Sequence, residues 1–517
     1  MALSTCGAIS GSRIVSIFLI LCVLILTKDF WFPSTRLPSH PTSGNAVSHS
    51  TAPLAHSPEQ DQEKLGSLHN EFASVSVTTA TATATVTITE SSVATPFPKP
   101  DHDHECSSAP DSQRIMIIMK TGATELEYKL PTHLITLLKC IPQGHFIIFS
   151  DMAQTYADYP VFDALQNVSA PWKEKHEDFE LYRTIEQFRN EGADLSTLKG
   201  DRSWNLDKWK FLPMMHATYA MSPEYIDWFV YIEADTSLSW LNLHHWLKTM
   251  DPRQKLYLGS QNFVSDTNFA HGGSGIIVSR AAAKAVDDVR AKDPQRYDQK
   301  WEEITSRSCC GDEVFARALL DAGVDLAPAW PVIQGEKIST VDFTKKHWCT
   351  PPVSMHHVSP VEVDDVWRFQ TEWVRQRGWN MPYRWSDLYT HFVAKHISPK
   401  RASWNNICKD RKLVSDTVEV TDDEKSSSDF KVYAELQEHE KKATASFEDC
   451  AIMCQNHDEK CMQWSWEPGR CYLGYDIRLG STDTREGVTW KAGWNEQRIA
   501  QFIQQQENCP LTWAAVD

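Results

Sequence analysis

The sequence predicts an α/β domain with a parallel β-sheet, followed by a small disulfide-rich α+β unit. Apolar runs alternate with helical stretches between residues 112 and 400, as in strand–helix–strand units. Six cysteines then lie between residues 408 and 509. Ahead of both regions, residues 1–32 hold one apolar run, and residues 33–111 are rich in Ser, Thr and Pro. We therefore expect four segments, at residues 1–32, 33–111, 112–400 and 401–517.

Length, charge and cysteine content limit the class of protein. The chain has 517 residues, which suggests about three units at about 150 residues each. Its 68 acidic and 51 basic side chains give a net charge of -17. A general nucleic-acid binder needs a cationic surface, so we expect no nucleic-acid partner. Thirteen cysteines, many of them clustered, favour an oxidising compartment.

The apolar run at residues 14–26 predicts one N-terminal membrane helix. Aromatic residues 30–32 would then lie at the far membrane interface, where such rings are favoured. A cleaved signal peptide is the alternative, because the run is short for a hydrocarbon core of about 30 Å. The absence of a small-x-small cleavage site after the run favours a signal anchor with a cytosolic tail. Either interpretation directs the rest of the chain into the secretory lumen.

Residues 33–111 are predicted to form a stem. Their small polar side chains bury too little area to offset the entropy of ordering the chain. Ser and Thr next to proline are typical of O-glycosylated stalks. Further along, Asn167-Val168-Ser169 is an N-glycosylation sequon, so Asn167 is a predicted glycan site.

The first globular elements predict a nucleotide-binding edge. Residues 115–119 (IMIIM) and 145–150 (HFIIFS) read as buried strands, with a helix between them at residues 128–140. Ligands of parallel sheets bind outside the carboxyl ends of the strands. Thr121 and Gly122 follow the first strand, while Ser150 and Asp151 end the second. These four residues are candidates by position, although each is also an ordinary turn former.

The strongest single signal is the segment WFVYIEADTSLSW at residues 228–240. A strand runs directly into Glu233 and Asp235, whose carboxylates are two residues apart and can point the same way. Hard oxygen donors of this kind suit a divalent cation that also holds a diphosphate. A helix-like stretch follows at residues 242–250. Without that context, such an acidic pair would more often be a solvated turn.

Three later segments add candidate site residues. Gly272, Gly273 and Gly275 allow a close approach of the backbone to a ligand. Asp312 precedes a predicted helix at residues 314–320, where it could also serve as a cap. His356 and His357 follow an apolar stretch and could supply neutral imidazole ligands to a metal.

Together these segments resemble glycosyltransferase family 31, the Fringe and core 1 β1,3-galactosyltransferase group. The resemblance covers residues 114–389 and is clearest against the core 1 type. It implies a Rossmann-like nucleotide-sugar transferase fold of the GT-A type. The matching motifs are Glu233-Ala234-Asp235-Thr236, Gly272-Gly273-Ser274-Gly275, Gly311-Asp312 before a helix that carries Arg317, and Ser354-Met355-His356.

The resemblance also implies residue roles. Asp235 and His356 would ligate Mn²⁺, and Asp312 would be the general base that deprotonates the acceptor hydroxyl. The nucleotide-sugar contacts would be Thr121, Gly122, Asp151, Lys210, Glu233, Ala234 and Asp235. The donor or acceptor pocket would include His271, Gly272, Gly273 and Glu313.

Two departures from the family pattern concern the charged motifs. The family's triplet is usually all Asp, whereas this chain has Glu233 and Ala234 before Asp235. The family's Glu before the base is replaced by Gly311, and Glu313 follows Asp312. Either Asp312 or Glu313 is therefore a candidate to face the acceptor, with Asp312 in the better register.

The C-terminal cysteines predict disulfides. Cys450 and Cys454 are spaced for one face of a short helix, and Cys461 and Cys471 are placed on strands. Zinc is the alternative, but the spacing has no CxxC pair and the lumen favours oxidation. The unit resembles a PAN/apple module, which implies the pairs Cys408–Cys509, Cys450–Cys471 and Cys454–Cys461. In the preceding region we expect Cys309 or Cys310 to pair with Cys349.

The function expected from the sequence is a type II Golgi membrane glycosyltransferase. It would use Mn²⁺ and a UDP-sugar for inverting transfer to a glycan or glycoprotein, with a β1,3 linkage. A PAN/apple module would bind protein or carbohydrate, or would act only as a stabilising appendage. The alternative is a catalytically inactive carbohydrate-binding or adhesion protein with a transferase-like fold.

Overall fold

The computed structural model describes residues 112–513 apart from residues 199, 201, 427–428 and 484–489. All of these residues belong to one compact unit. The predicted membrane anchor and stem, at residues 1–111, lie outside the described residues. Within the described part of the chain, no helix combines the length and apolar character needed to span a membrane.

The strands lie in a central sheet, a C-terminal sheet and three two-stranded sheets. In chain order they are β1 (Ile115–Lys120), β2 (Phe146–Ser150), β3 (Gln154–Tyr156), β4 (Tyr159–Asp163), β5 (Trp228–Glu233), β6 (Ser237–Leu238), β7 (Tyr257–Gly259), β8 (Gln261–Val264), β9 (Thr267–Ala270), β10 (Ile276–Ser279), β11 (Leu326–Pro328), β12 (Ser354–Met355), β13 (Arg401–Ala402), β14 (Trp404–Asn405), β15 (Arg411–Val414), β16 (Gln463–Glu467), β17 (Arg470–Gly474), β18 (Ser481–Thr482) and β19 (Lys491–Trp494).

Helices flank these sheets and connect them. In chain order they are α1 (Leu126–Ile135), α2 (Ala170–Lys175), α3 (Glu180–Glu191), α4 (Arg202–Asp207), α5 (Phe211–Met221), α6 (Trp240–Leu247), α7 (Arg280–Ala291), α8 (Pro294–Arg307), α9 (Gly311–Asp321), α10 (Lys345–Trp348), α11 (Pro360–Arg377), α12 (Trp385–Leu388), α13 (Asp422–Lys425), α14 (Glu438–Ala443), α15 (Phe447–Ile452) and α16 (Glu496–Gln505).

The central sheet has eight strands in the order β11-β7-β10-β5-β1-β2-β4-β3. β1 pairs in parallel with both β2 and β5, which confirms the predicted α/β class and is compatible with a Rossmann-like transferase fold. β10 instead runs antiparallel to β5 and β7. The connection from β7 to β10 is the β8–β9 hairpin rather than a helical crossover, so the chain returns in the opposite direction.

Alternate residues of β1 enter two different hydrophobic cores. Met116 and Ile118 pack in one cluster, whereas Ile115, Ile117 and Met119 pack in another. Side chains of a strand alternate between the two faces of the sheet. The continuous apolar run therefore reflects a parallel strand covered on both faces, and its carboxyl end places the polar side chain of Lys120 in a buried position.

The C-terminal sheet is antiparallel, with the order β13-β19-β16-β17-β15. It is joined to the first region by a shared core, in which Phe343 and Trp348 pack in one cluster with Ile477 and Trp494. Phe343 N also donates to Ile477 O at 2.9 Å. The expected boundary at residue 400 thus falls between two regions that pack as one body.

The disulfides agree only partly with the expected pairs. Cys450 pairs with Cys471 and Cys454 pairs with Cys461, as the apple-like pattern implies. α15 carries Cys450, and Cys461 lies in the loop before β16 rather than on a strand.

The expected Cys408–Cys509 pair is wrong. Cys509 bonds to Cys349, because the segment after α16 lies against the end of α10 in the shared core. Cys408 is a free, buried thiol whose Sγ lies 3.1 Å from Asn406 Oδ1.

The expected bridge from Cys309 or Cys310 to Cys349 is also wrong. The two adjacent cysteines bond to each other, and Cys349 is already engaged with Cys509. In the described part of the chain, no disulfide therefore ties the loop before α9 to the segment that carries the site histidines. That loop holds a disulfide between two adjacent cysteines, and Cys349 is linked to the C-terminal unit.

Candidate functional site

The carboxyl ends of β1 and β5 lie side by side and carry opposite charges. Lys120 and Glu233 are direct partners in the parallel register, and Lys120 Nζ lies 3.0 Å from Glu233 Oε1. Burial lowers the pKa of Lys120, but the charges of Asp207 and Glu233 outweigh burial and raise it above the usual value. The strand edge predicted to bind a nucleotide therefore holds a buried cation.

Lys210 is a second buried cation beneath the same edge. Its Nζ forms an ion pair with Asp151, lies 3.1 Å from Asp207 Oδ1 and donates to Thr121 O at 3.0 Å. Asp207 also forms an ion pair with Lys120. One carboxylate thus connects the two lysines, and the four side chains form a chain of alternating charges.

Asp235 and His356 come together through a short strand pair. β6 pairs antiparallel with β12, which brings His356, directly after β12, beside Asp235, just before β6. His356 Nε2 lies 3.3 Å from Asp235 Oδ1. His357 completes the cluster, in which one ligand atom from each of the three residues lies within 4.8 Å of the others.

The chemistry of this cluster fits a divalent metal. Both ring nitrogens of His356 are buried and make no hydrogen bond in the described part of the protein. His357 has a left-handed backbone with φ 59°, and its ring lies 3.9 Å from that of His356. One carboxylate and two imidazoles on one side of a turn are ligands that transition metals accept, and a bound ion would take one ring nitrogen of His356.

Lys129 lies beside the cluster. Its Nζ is 3.2 Å from Asp235 Oδ2 and 2.7 Å from Glu125 Oε2. Burial raises the pKa of Asp235, but His356 and Lys129 outweigh burial and lower it below the usual value. Asp235 is consequently an anion over the physiological pH range, with one oxygen toward Lys129 and the other toward His356.

Two consecutive glycines position the metal histidine and the predicted base. Gly272 N donates to Asp312 Oδ2 at 2.8 Å, and a Cβ at Gly273 would overlap the ring of His356. Gly272 is itself confined, because a Cβ there would lie 2.6 Å from the Phe211 ring. The Gly-Gly pair is therefore a requirement of close packing at the site.

Asp312 is a buried carboxylate at the start of α9. It is 8 % exposed, and its second oxygen accepts from Glu313 N at 3.0 Å. Burial raises its pKa to about 6, against the opposing hydrogen bond from Gly272 N, and the nearby charge of Glu233 contributes to the rise. A carboxylate with this pKa is ionised at neutral pH and basic enough to accept a proton.

The structure explains why glycine precedes Asp312. A Cβ at Gly311 would overlap Lys208 O and would lie 2.5 Å from the Phe211 ring. The first turn of α9 packs too closely against α5 and the residues before it to accommodate a glutamate. The departure from the family motif at this position is therefore a packing feature.

An open cleft of about 370 Å³ joins these groups. Trp204, Gly200 and the Cys309–Cys310 disulfide form part of its wall, together with Asp312 and Gly311. Eight predicted site residues line it: Gly122, Asp151, Lys210, Glu233, His271, Gly273, Asp312 and His356. Burial lowers the pKa of His271 to about 4, so it contributes a neutral imidazole.

Other predicted residues lie behind the cleft surface. Thr121 and Gly272 act through their backbones, as described above. Ala234 is buried, and its carbonyl oxygen lies 2.9 Å from His133 Nε2. Asp235 lies in the metal cluster beside His356.

Glu313 is the other carboxylate that the sequence places near the pocket. Its carboxylate accepts from Ser308 Oγ and lies 3.3 Å from Arg317 Nη1, and it does not line the described cleft. Side chains of successive residues in an α-helix point in directions about 100° apart around the helix axis. Asp312, not its neighbour, is therefore the carboxylate that faces the cleft.

Sequence reasoning missed several residues of the site. Lys120 could have been found as the polar end of the β1 run, and Lys129 by its i,i+4 spacing from Glu125. His357 belongs to the histidine pair noted in the sequence, but the predicted metal ligands include only His356 of that pair. Asp207 is in a region without a sequence motif, so no local signal points to it. Trp204 is one of several tryptophans that could stack on a sugar, and no motif distinguishes it from the others.

Comparison with family models supports the glycosyltransferase resemblance. Residues 198–324 match the model of the Fringe-like family, which belongs to glycosyltransferase family 31. The matched range contains Lys210, the Glu233–Asp235 segment, the Gly272–Gly273 turn and Asp312. A comparison with curated proteins finds no match. The match supports a transferase, and the Asp/His cluster provides a possible divalent-metal site of the kind that Fringe-like enzymes commonly use.

Proposed function

We propose that this protein is an inverting glycosyltransferase that moves a sugar from a UDP-sugar to a glycan or glycoprotein, forming a β1,3-type linkage. The observation that carries the proposal is the Gly272–Gly273 turn. It binds Asp312 through a backbone N–H and packs against His356. A base and a metal-binding histidine are thereby fixed at one cleft.

Inverting transfer is a single displacement. The acceptor oxygen bonds to the anomeric carbon as the bond from that carbon to the diphosphate oxygen breaks, and the acceptor hydroxyl proton passes to a base. Asp312 is the group we assign to take that proton, because it is buried, ionised above about pH 6 and exposed to the cleft.

The leaving diphosphate needs positive charge. Mn²⁺, held by Asp235 and His356 with His357 in reach, would neutralise charge on the departing UDP. Lys129 would orient Asp235 through its contact at 3.2 Å. The buried ion pairs of Lys120 and Lys210 would hold the strand edge against which the nucleotide binds.

We further propose a membrane-bound form with its cleft in the Golgi lumen. The apolar run at residues 14–26, the Ser/Thr/Pro-rich stem and the disulfides support this topology. The C-terminal unit, with Cys450–Cys471 and Cys454–Cys461 over an antiparallel sheet, is proposed to be a PAN/apple-like module that engages the acceptor or a partner protein.

The test is transfer and hydrolysis of a panel of UDP-sugars by the full chain, with and without Mn²⁺. Asp312→Asn should lower activity about 10²–10⁴-fold, and Asp235→Ala and chelation of the metal should each cause a large loss of activity. Asp321→Asn is the matched control, since Asp321 ends the same helix in an exposed ion pair with Lys300.

Activity that survives both site substitutions would overturn the assignment. Binding of a UDP-sugar without any turnover would instead favour the catalytically inactive, carbohydrate-binding alternative.

A further inference from the structure

An apolar groove of about 160 Å³ lies away from the cleft, between α5 and α8. It shares no lining residue with the cleft. Its apolar walls come from Leu212, Pro213, Ala217 and Ala220 on α5 and from Trp301 on α8. A cavity of about 150 Å³ is large enough for a six-membered ring, so this groove can hold one ring-sized group.

Two polar side chains of the groove wall have a buried nitrogen without a hydrogen-bond partner in the described structure. Trp301 is 4 % exposed, and its Nε1 makes no hydrogen bond in the described structure. The same holds for Nε2 of His216. Both nitrogens have almost no accessible surface, so they lie behind the wall, and the groove offers a ligand mainly an apolar face.

Two of the three charged side chains that line the groove neutralise each other. Arg290 and Asp298 form a two-hydrogen-bond pair at 2.7 and 2.8 Å. Burial lowers the pKa of His216 to about 4, so its ring is neutral. The third charged side chain is the acidic Glu302. This environment disfavours a phosphate or nucleotide and favours a neutral ligand with an apolar face.

The N-glycosylation sequon is part of the groove wall. Asn167 is exposed and lines the groove, and so does Glu302. Ser169 is fixed to Glu302, with its N–H donating to Oε1 at 2.7 Å and its hydroxyl to Oε2 at 2.6 Å. A sugar attached to Asn167 would therefore begin at the rim of a largely apolar, ring-sized groove.

We propose that the groove is the binding site for the first sugar of an N-linked glycan on Asn167. That sugar, N-acetylglucosamine, has an apolar ring face that fits the apolar walls on α5 and α8. The glycan would then stabilise the packing of α5 on α8. The inference relies on the luminal location proposed above, but not on the transferase activity.

The experiment compares three forms of the full chain made in eukaryotic cells with high-mannose glycans. One form is untreated, one is trimmed by an endoglycosidase to a single N-acetylglucosamine, and the third is Asn167→Gln. The first two should have the same melting temperature, and the third should melt about 1–3 °C lower. Intact mass first measures glycan occupancy at Asn167, and an unoccupied site overturns the proposal.

A groove-filling variant distinguishes binding of the sugar in the groove from other effects of the glycan on stability. Ala220→Trp should occupy the groove and remove the dependence of the melting temperature on the glycan. It should also speed release of the glycan by a native amidase about tenfold or more, because the sugar is no longer held. Met221→Trp is the control, since Met221 is exposed on the same helix and does not line the groove.

Equal melting temperatures for all three forms would overturn the proposal, as would equal behaviour of Ala220→Trp and Met221→Trp. If Ala220→Trp does not fold, the three-form comparison still decides. Because no readout is enzymatic, failure here is distinguishable from failure of the proposed transferase function, which is measured by UDP-sugar turnover.

Discussion

The imidazole of His356 packs directly against Gly273, leaving no room for a β-carbon on that glycine. The preceding residue, Gly272, donates its N–H to Asp312 at 2.8 Å. A single turn of the chain therefore sets the positions of both the metal histidine and the proposed base. The site is held by backbone and packing, and its precision depends on the absence of side chains.

Gly273→Ala is expected to displace His356 and weaken the metal site. We expect Mn²⁺ affinity to fall about 10–100-fold, as for other changes to groups that orient a ligand. Direct binding of Mn²⁺ alone, followed by electron paramagnetic resonance or calorimetry, measures this effect.

Excess Mn²⁺ should recover much of any lost activity in Gly273→Ala, because Asp235 and His357 remain. His357→Ala is the companion variant, since it removes a ligand without moving the glycine turn. Unchanged Mn²⁺ affinity in Gly273→Ala would show that His356 does not bind the ion.

Asp312→Asn is expected to lower transfer about 10²–10⁴-fold, the usual contribution of a general base, while making the protein more stable at neutral pH. Burial raises the pKa of Asp312 from 3.8 to about 6. The native state therefore holds this proton more tightly than the unfolded state does. Ionisation costs stability progressively between about pH 4 and pH 6, up to about 3 kcal/mol above that range.

Urea unfolding from pH 4 to pH 8 tests the sign of this effect. The stability gain of Asp312→Asn should be absent near pH 4, grow through pH 6 and then stay constant. Asp321→Asn, on the exposed end of the same helix, should show no gain in stability that depends on pH. A variant less stable than the wild type at pH 8 would contradict the buried-charge argument.

Trp204→Ala is expected to weaken acceptor binding without affecting the donor. Trp204 is 65 % exposed and lines the cleft near Asp312, where an apolar sugar face could stack on it. Loss of about 0.5–1.5 kcal/mol corresponds to an increase in acceptor KM of about 2- to 10-fold. Steady-state kinetics with varied acceptor and with varied UDP-sugar separate the two effects.

Phe263→Ala is the matched control for this substitution. Phe263 is 61 % exposed but lies in the β8–β9 hairpin and does not line the cleft. A rise in donor KM with unchanged acceptor KM in Trp204→Ala would place this side chain on the nucleotide side instead.

Local patterns predicted the parts of the fold that depend on one strand or helix. Strands β1, β2 and β5 are covered on both faces. They therefore stand out in the sequence as continuous apolar runs. The antiparallel direction of β10 was not predictable in this way. It depends on whether a hairpin or a helix connects it to β7, which the run IIVS does not encode.

The site was predictable where its residues belong to motifs. Asp235, Asp312 and His356 each follow or precede a regular element and were found. Lys129 and Asp207 were missed because their roles arise from contacts with residues about 90–110 positions away in the chain, and their own neighbours give no signal. The vicinal pairing of Cys309 with Cys310 was likewise invisible, since spacing alone does not rank possible partners.

The Cys349–Cys509 disulfide is expected to contribute most of the covalent stabilisation between the two regions. It closes a loop of 160 residues, and chain entropy then gives an upper value of about 5 kcal/mol. Cys509→Ser should lower the free energy of unfolding by about 2–5 kcal/mol, and Cys349→Ser should match it. Non-reducing peptide mapping identifies the bond directly, and urea unfolding measures the loss.

Cys408→Ala is the control that distinguishes the Cys349–Cys509 disulfide from the Cys408–Cys509 pair that the apple-like pattern implies. Burial raises the pKa of the Cys408 thiol to about 12, so in the native protein it should resist alkylation and react only after unfolding. Its replacement by Ala should cost no more than about 1 kcal/mol. If Cys408→Ala were as destabilising as Cys509→Ser, and released a thiol at residue 509, then Cys509 would pair with Cys408 and the link between the two regions would be lost.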